Sequence, residues 1–219
     1  MKKQKSLRII SNIESIDPRL PLPGQVTAAV DILDRGGVIV FPTQGLYGLG
    51  ADALNALAVD RIFAIKQRAF GNPLLVLVPE RDAVCDVASE VPPAAIRLMD
   101  RFWPGRVTIV LKALSRLPNN LVAGTGRIGV RVSGHPVART LVSMFGKPIT
   151  GTSANISGRT GCYRIEDLDQ RVSAQLDMIL DAGPLDGGRG STVVDVTGDS
   201  PVIIREGAVS RQEILAALN

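Results

Sequence analysis

The chain is poor in the residues that most often carry covalent or metal chemistry. Its 219 residues include one histidine, His135, and two cysteines, Cys85 and Cys162. One histidine and two distant thiols give no zinc ligand set and no disulfide framework. At most one histidine-assisted nucleophile could exist, and a catalytic thiol at Cys162 would need such a base. Cys85, in a helix-like stretch, reads as a small buried hydrophobe. Aromatic residues make up 4% of the chain, which argues against a base-stacking platform as the main chemistry. No apolar run approaches the roughly 18–20 residues of a membrane span. Lys2, Lys3 and Lys5 are not followed by an apolar signal region. The expectation is a soluble, cytoplasmic protein with no membrane partner. No paired carboxylates and no metal motif stand out.

What the chain does have is enough apolar content, 45%, to bury a full core. Its net charge of +4 suits an acidic substrate or an RNA surface, and is also common in proteins without a nucleic-acid partner. Apolar spacing predicts helices over 25–35, 56–66, 93–102, 136–145 and 211–218. Short apolar runs predict strands over 38–41, 74–78, 107–111, 128–132, 178–180, 192–196 and 202–204. Strands and helices mingle without strict alternation, so the expected class is α/β, a twisted mixed sheet covered by helices. Residues 1–18 are polar and read as an arm, with a single domain over 19–219.

Three uncharged or basic polar segments sit beside apolar elements. The first, 148–158 (PITGTSANISG), is rich in small hydroxyl, amide and glycine residues, the material of loops that close around anions. Ser153, Asn155 and Ser157 are spaced by two and point alike if the loop is extended; capping and turn duty is the alternative. The second, 41–50 (FPTQGLYGLG), holds Thr43 among glycines but lacks the terminal Lys-Ser/Thr of a P-loop, and ordinary turn duty fits it too. The third, 66–74 (KQRAFGNPL), places Lys66 and Arg68 before a turn. They are either a phosphate or carboxylate clamp or cations favoured at a helix C-terminus. Arg131 interrupts an apolar strand, where a charge must be paired or ligand-bound. His135 precedes Pro136 at a helix start. Gly187-Gly188-Arg189-Gly190-Ser191 repeats the polar theme, and Arg205 ends the last strand. This inventory lacks a strong general base and is rich in anion clamps, which suits nucleotidyl or phosphoryl transfer.

FPTQGLYGLGAD, KQRAFGNPLLVLV, FWPGRVTIVLK, IGVRVSGHPVAR, TSANISG and GSTVVDV with IIREG resemble, in order and spacing, the YrdC family of L-threonylcarbamoyladenylate synthases. The resemblance implies a mixed sheet with helices around a large basic cavity. It implies an enzyme making threonylcarbamoyl-AMP and pyrophosphate from L-threonine, bicarbonate and ATP, with Mg²⁺ on the ATP phosphates. It further implies a partner transferase that carries the threonylcarbamoyl group to tRNA beside the anticodon. Thr43, Arg131 and Ser191 are implied to hold threonine, with Arg131 at its carboxylate. Lys66 and Arg68 match K-x-R and are implied to act in catalysis on the phosphates and carbonate. Ser153 and Asn155 match S-x-N and, with Arg205, are implied to bind nucleotide. Gln44, Ala69 and Cys162-Tyr163 depart from the family's usual Glu, Pro and Pro-Thr. The alternative is a non-catalytic protein of the same fold that binds RNA, double-stranded RNA included.

Overall fold

The computed structural model describes residues 12–69 and 71–219; Phe70 and the first 11 residues of the expected arm lie outside them. The elements begin β1 (Ile13–Ser15), α1 (Pro23–Asp34), β2 (Ile39–Pro42), β3 (Tyr47–Gly50), α2 (Ala56–Lys66), β4 (Leu75–Leu77), α3 (Pro93–Phe102) and β5 (Val107–Lys112). They continue β6 (Arg127–Arg131), α4 (Pro136–Phe145), β7 (Ile149–Thr150), β8 (Thr152–Ser153), α5 (Gln170–Ser173), β9 (Met178–Asp181), β10 (Thr192–Asp195), β11 (Val202–Arg205) and α6 (Arg211–Leu218).

Local chemistry fixes the helix ends that matter. The Asn55 side chain accepts hydrogen bonds from the Leu57 and Ala58 N–H groups and starts α2, satisfying donors that have no helical partner. Gln67 turns left-handed at φ 49° and its N–H closes back on Phe63 and Ala64, a common helix stop. Lys66 is therefore the last helical residue. Pro136 opens α4 from its first turn, and His135 Nδ1 accepts from Val137 N at 3.3 Å. The lone histidine thus serves the helix start, as its position suggested.

The single mixed sheet expected from the sequence is divided into two. One has the order β1-β9-β2-β3-β8, the other β11-β10-β5-β6-β4-β7. Both mix parallel and antiparallel pairs. Helices α1 and α4 share an apolar cluster with Ile39, Phe41 and Leu180. A larger cluster runs through Val40, Leu49, Ile62, Val76, Ile109 and Val130.

The polar segment 148–158 passes between the sheets. β7 pairs with β4 in one sheet and β8 with β3 in the other. Gly151 stands at the crossing, where a Cβ would lie 2.7 Å from Leu77 Cγ; only glycine lets the chain through. This crossing brings Ser153 and Asn155 to the junction of the two sheets.

Two expectations need correction. The 41–50 segment is not all turn, because Tyr47–Gly50 forms the fully buried strand β3. Its glycines serve close packing: a Cβ on Gly50 would lie 2.8 Å from the ring of buried Phe41. Gly50→Ala is expected to destabilise the protein by about 1–3 kcal/mol through overpacking, read from urea unfolding; an unchanged midpoint would contradict this packing. Cys85 is exposed rather than buried. It lies in a 3-10 turn, Asp82–Asp86, that buries Val84 alone, and its thiol donates to Asp82 O at 2.9 Å. The N-terminal arm also contributes structure: β1 pairs in parallel with β9, and Ile16 is buried in the core.

Candidate active site

Residues of both sheets line one cavity of about 800 Å³. The β2–β3 connection supplies Thr43, the end of α2 supplies Lys66, and β8 with the following turn supplies Ser153 and Asn155. The second sheet supplies Thr108 from β5, Arg131 from β6, Ser191 just before β10 and Arg205 at the end of β11. Every site residue singled out from the sequence lines this cavity: Thr43, Lys66, Arg68, Arg131, Ser153, Asn155, Ser191 and Arg205. Cys162 does not; its thiol is buried against Ala154 O, and burial pushes its pKa up to about 11. That is the wrong direction for a nucleophile.

The lining is strongly cationic. Lys66 and seven arginines border the cavity, facing the carboxylate of Asp195. Asp195 is itself bonded to Arg127 at 2.7 Å and to the Thr197 hydroxyl and N–H. Arg106 pairs with Asp186 at 2.5 Å, and Arg159 with Asp169 at 3.5 Å. No such partner balances Lys66, Arg68, Arg131, Arg189 or Arg205 among the described residues, so the net field favours anions.

Arg131 is the extreme case. Its residue is 6% exposed, its Nε is buried without a hydrogen-bond partner, and no ion pair to it is found among the described residues. The bland alternative, a structural ion pair, is thereby set aside. Burial first, then the Arg205 and Arg106 guanidiniums, push its pKa down to about 10, which still leaves it charged at pH 7. Beside it, the Thr108 and Ser191 hydroxyls share a hydrogen bond of 2.7 Å. Arg205 donates to Ser191 O at 2.8 Å. Thr43 Oγ1 donates to Leu46 O at 2.5 Å, closing the turn that presents it.

Arg68 donates from Nε to Asn72 O and from Nη2 to Pro73 O, both at 3.0 Å. Two of the guanidinium's five N–H donors thus fix its aim. Burial, with Arg205 second, lowers its pKa. Lys66 is 2% exposed; burial first and Arg68 second push its ammonium down to about 7. Its three carbonyl acceptors oppose that shift by favouring the charged form. An unfolded lysine binds its proton up to about pH 10.4, so between about 7 and that value the unfolded chain holds more protons. Lys66 therefore makes the free protein gain stability as pH rises through this window.

Arg106 and Arg127 border the cavity without having been singled out. Arg127 could have been found, since it shares a strand face with Arg131 at a spacing of four residues. Arg106 carries no local signal. Its work is done on distant partners: it donates to Gln44 O at 2.9 Å as well as to Asp186, and Gly187 N bonds Gly45 O at 2.9 Å. Gln44 in turn accepts from Gly134 N at 3.2 Å, a neutral contact that ties the Thr43 turn to the connection between β6 and α4. Among the described residues no cluster of three or more His, Cys, Asp or Glu side chains could hold a metal ion, and no helix is long and apolar enough to cross a membrane.

Fold and cavity together define an α/β protein in which two mixed sheets share one basic cavity. The Sua5/YciO/YrdC family model, described as telomere recombination, matches residues 31–207. The threonylcarbamoyl-AMP synthase of Bacillus subtilis is 34% identical over 195 residues, 89% of this chain and 56% of that protein. The structure of Pyrococcus abyssi Sua5 complexed with L-threonine superposes with a TM-score of 0.89 at 32% identity, covering 94% of this chain and 60% of that one. Escherichia coli YciO superposes with a TM-score of 0.86 at 32% identity, covering 93% and 99%. The chain spans little more than half the length of the first curated relatives it matches, 56% of the synthases from Bacillus subtilis and Pyrococcus abyssi. The chain belongs to the Sua5/YciO/YrdC family.

Proposed function

We propose that the protein is an L-threonylcarbamoyl-AMP synthase. The observation that carries this reading is two sets of uncompensated cations lining one cavity: buried Arg131, and Arg68 beside the 153–157 turn. The spacing of residue types suits an amino-acid carboxylate at Arg131, Thr43 and Ser191. It suits a nucleotide triphosphate at Arg68, Ser153, Asn155 and Arg205, with the charge of Lys66 close behind. The Pyrococcus abyssi Sua5 structure complexed with L-threonine supports threonine as a substrate by likeness.

In this reading the threonine amine attacks the carbon of bicarbonate, water leaves, and a carbamate forms. A carbamate oxygen then attacks the ATP α-phosphate and pyrophosphate departs. The residues at hand are cations and hydrogen-bond donors, which act by positioning and by stabilising the charge that develops on the phosphates. Mg²⁺ would enter on the ATP phosphates rather than on a protein cage. The product would be passed to a partner transferase that modifies tRNA next to the anticodon. Incubation with labelled threonine, bicarbonate, ATP and Mg²⁺ is expected to give threonylcarbamoyl-AMP and pyrophosphate in equal amounts. Formation of neither would overturn the proposal.

A pH effect follows from Lys66. In the free protein its pKa stands at about 7; phosphate nearby favours its charged form and raises that value. At pH 8 nucleotide binding is expected to take up protons, approaching one per site, and affinity is expected to fall as pH climbs from 7 to 9. Calorimetry in two buffers of different ionisation heat measures the uptake. Equal heats in both would show that Lys66 does not feel the nucleotide.

A further inference from the structure

Lys66 is expected, from its pairing with Arg68 in K-x-R, to meet the phosphates directly. Its surroundings point elsewhere. The side chain is buried along its length at the end of α2. Its Nζ donates to Ser153 O at 2.6 Å, to Asn155 O at 2.9 Å and to Asn155 Oδ1 at 3.3 Å. An ammonium has three protons, and these three acceptors take them all. The main chain of the same residue holds the turn at a fourth point, because Ser157 N donates to Lys66 O at 2.8 Å.

The rest of the turn is built on that anchor. The Ser153 hydroxyl donates to Asn155 Oδ1, the same atom that Lys66 holds. Fixing that oxygen fixes the amide plane, and Asn155 Nδ2 then donates to Ile156 O at 2.8 Å and Arg159 O at 2.5 Å. The acceptors around Nζ are carbonyls, none a carboxylate, so the lysine's charge is solvated without being cancelled. In a poorly hydrated site such a charge acts on an anion through the intervening turn.

We propose that Lys66 is a positioning residue: it shapes the 153–159 turn from behind and lends that turn its charge, while Arg68, with three N–H groups uncommitted, and the unpartnered Ser157 hydroxyl make the direct contacts to the anion. The identity of the anion rests on the nucleotide reading above; the holding of the turn does not. Lys66 thus has no proton to spare for a ligand unless the turn is dismantled.

Two measurements test this separately. In Lys66→Met without any ligand, amide hydrogen exchange over 153–159 is expected to rise at least tenfold above the unaltered protein while α4 exchange is unchanged. An unchanged turn would overturn the proposal. The second uses the unaltered protein labelled with ¹⁵N-lysine at pH 6, so it does not depend on the variant folding. On adding α,β-methylene-ATP with Mg²⁺, the Lys66 ammonium signal is expected to stay slowly exchanging and bonded to carbonyls. A coupling from Lys66 Nζ to phosphorus would make it a direct donor and end the proposal. If the analogue does not bind at all, the nucleotide reading fails, and the exchange experiment alone decides whether Lys66 holds the turn.

Discussion

Arg131→Met is expected to abolish L-threonine binding and at the same time to raise the melting temperature. Both effects come from one fact: the guanidinium is buried, with Nε unpartnered, among other cations. An uncompensated charge taken out of water costs several kcal/mol, and replacing buried ionic groups with apolar ones of similar volume is often stabilising by roughly 1–4 kcal/mol. For a chain of this size that is roughly 2–4 °C per kcal/mol. A carboxylate brought to Arg131 supplies the missing partner. Losing one side of such a buried pair costs about 3–5 kcal/mol, so the dissociation constant for threonine should rise at least about 100-fold. Calorimetric titration and a thermal melt read the two effects. Weaker binding with a lower melting temperature would make Arg131 a structural residue; unchanged binding would remove it from the site. Stability given up at a functional position in this way is a familiar trade.

Arg68→Ala is expected to lower the turnover of pyrophosphate release by about 100- to 1,000-fold, the usual cost of removing one preorganised donor from a transition-state site. Two of its N–H groups are bound to Asn72 O and Pro73 O, which leaves three of the five aimed away from the turn. Arg205 lies near enough to depress its pKa, so the two cations repel until an anion comes between them. Arg68→Lys should recover little, because a point charge cannot both brace the 72–73 turn and present a planar fork. Full activity in Arg68→Lys would mean that charge alone matters there. Unchanged turnover in Arg68→Ala would place the phosphates elsewhere.

Much of this site was legible in the chain because its residues break local rules. Arg131 stands out as a charge inside an apolar strand, and Lys66 ends a helix whose face is set by Val59, Ile62 and Phe63. The Ser-x-Asn spacing marks a turn that could hold an anion. What stayed hidden depends on contacts far along the chain. β3 looked like a glycine turn because the reason for Gly50 is the ring of Phe41 across the strand pair. β7 and β8 are two residues each, too short for any periodicity, so the sequence offered no sign that one segment joins two sheets. Arg106 reads as an ordinary residue before a strand, since its partners Gln44 and Asp186 are 62 and 80 positions away. Cys85 was misplaced because composition ranks cysteine as buried while a short 3-10 turn has room to bury only Val84.

The most direct measurement is a crystal structure of the protein grown with L-threonine, α,β-methylene-ATP and Mg²⁺ together. Both ligands should lie in the one cavity, with the threonine carboxylate on Arg131 and the phosphates between Arg68 and the 153–157 turn. A structure with either ligand outside the cavity, or with one excluding the other, would contradict the account.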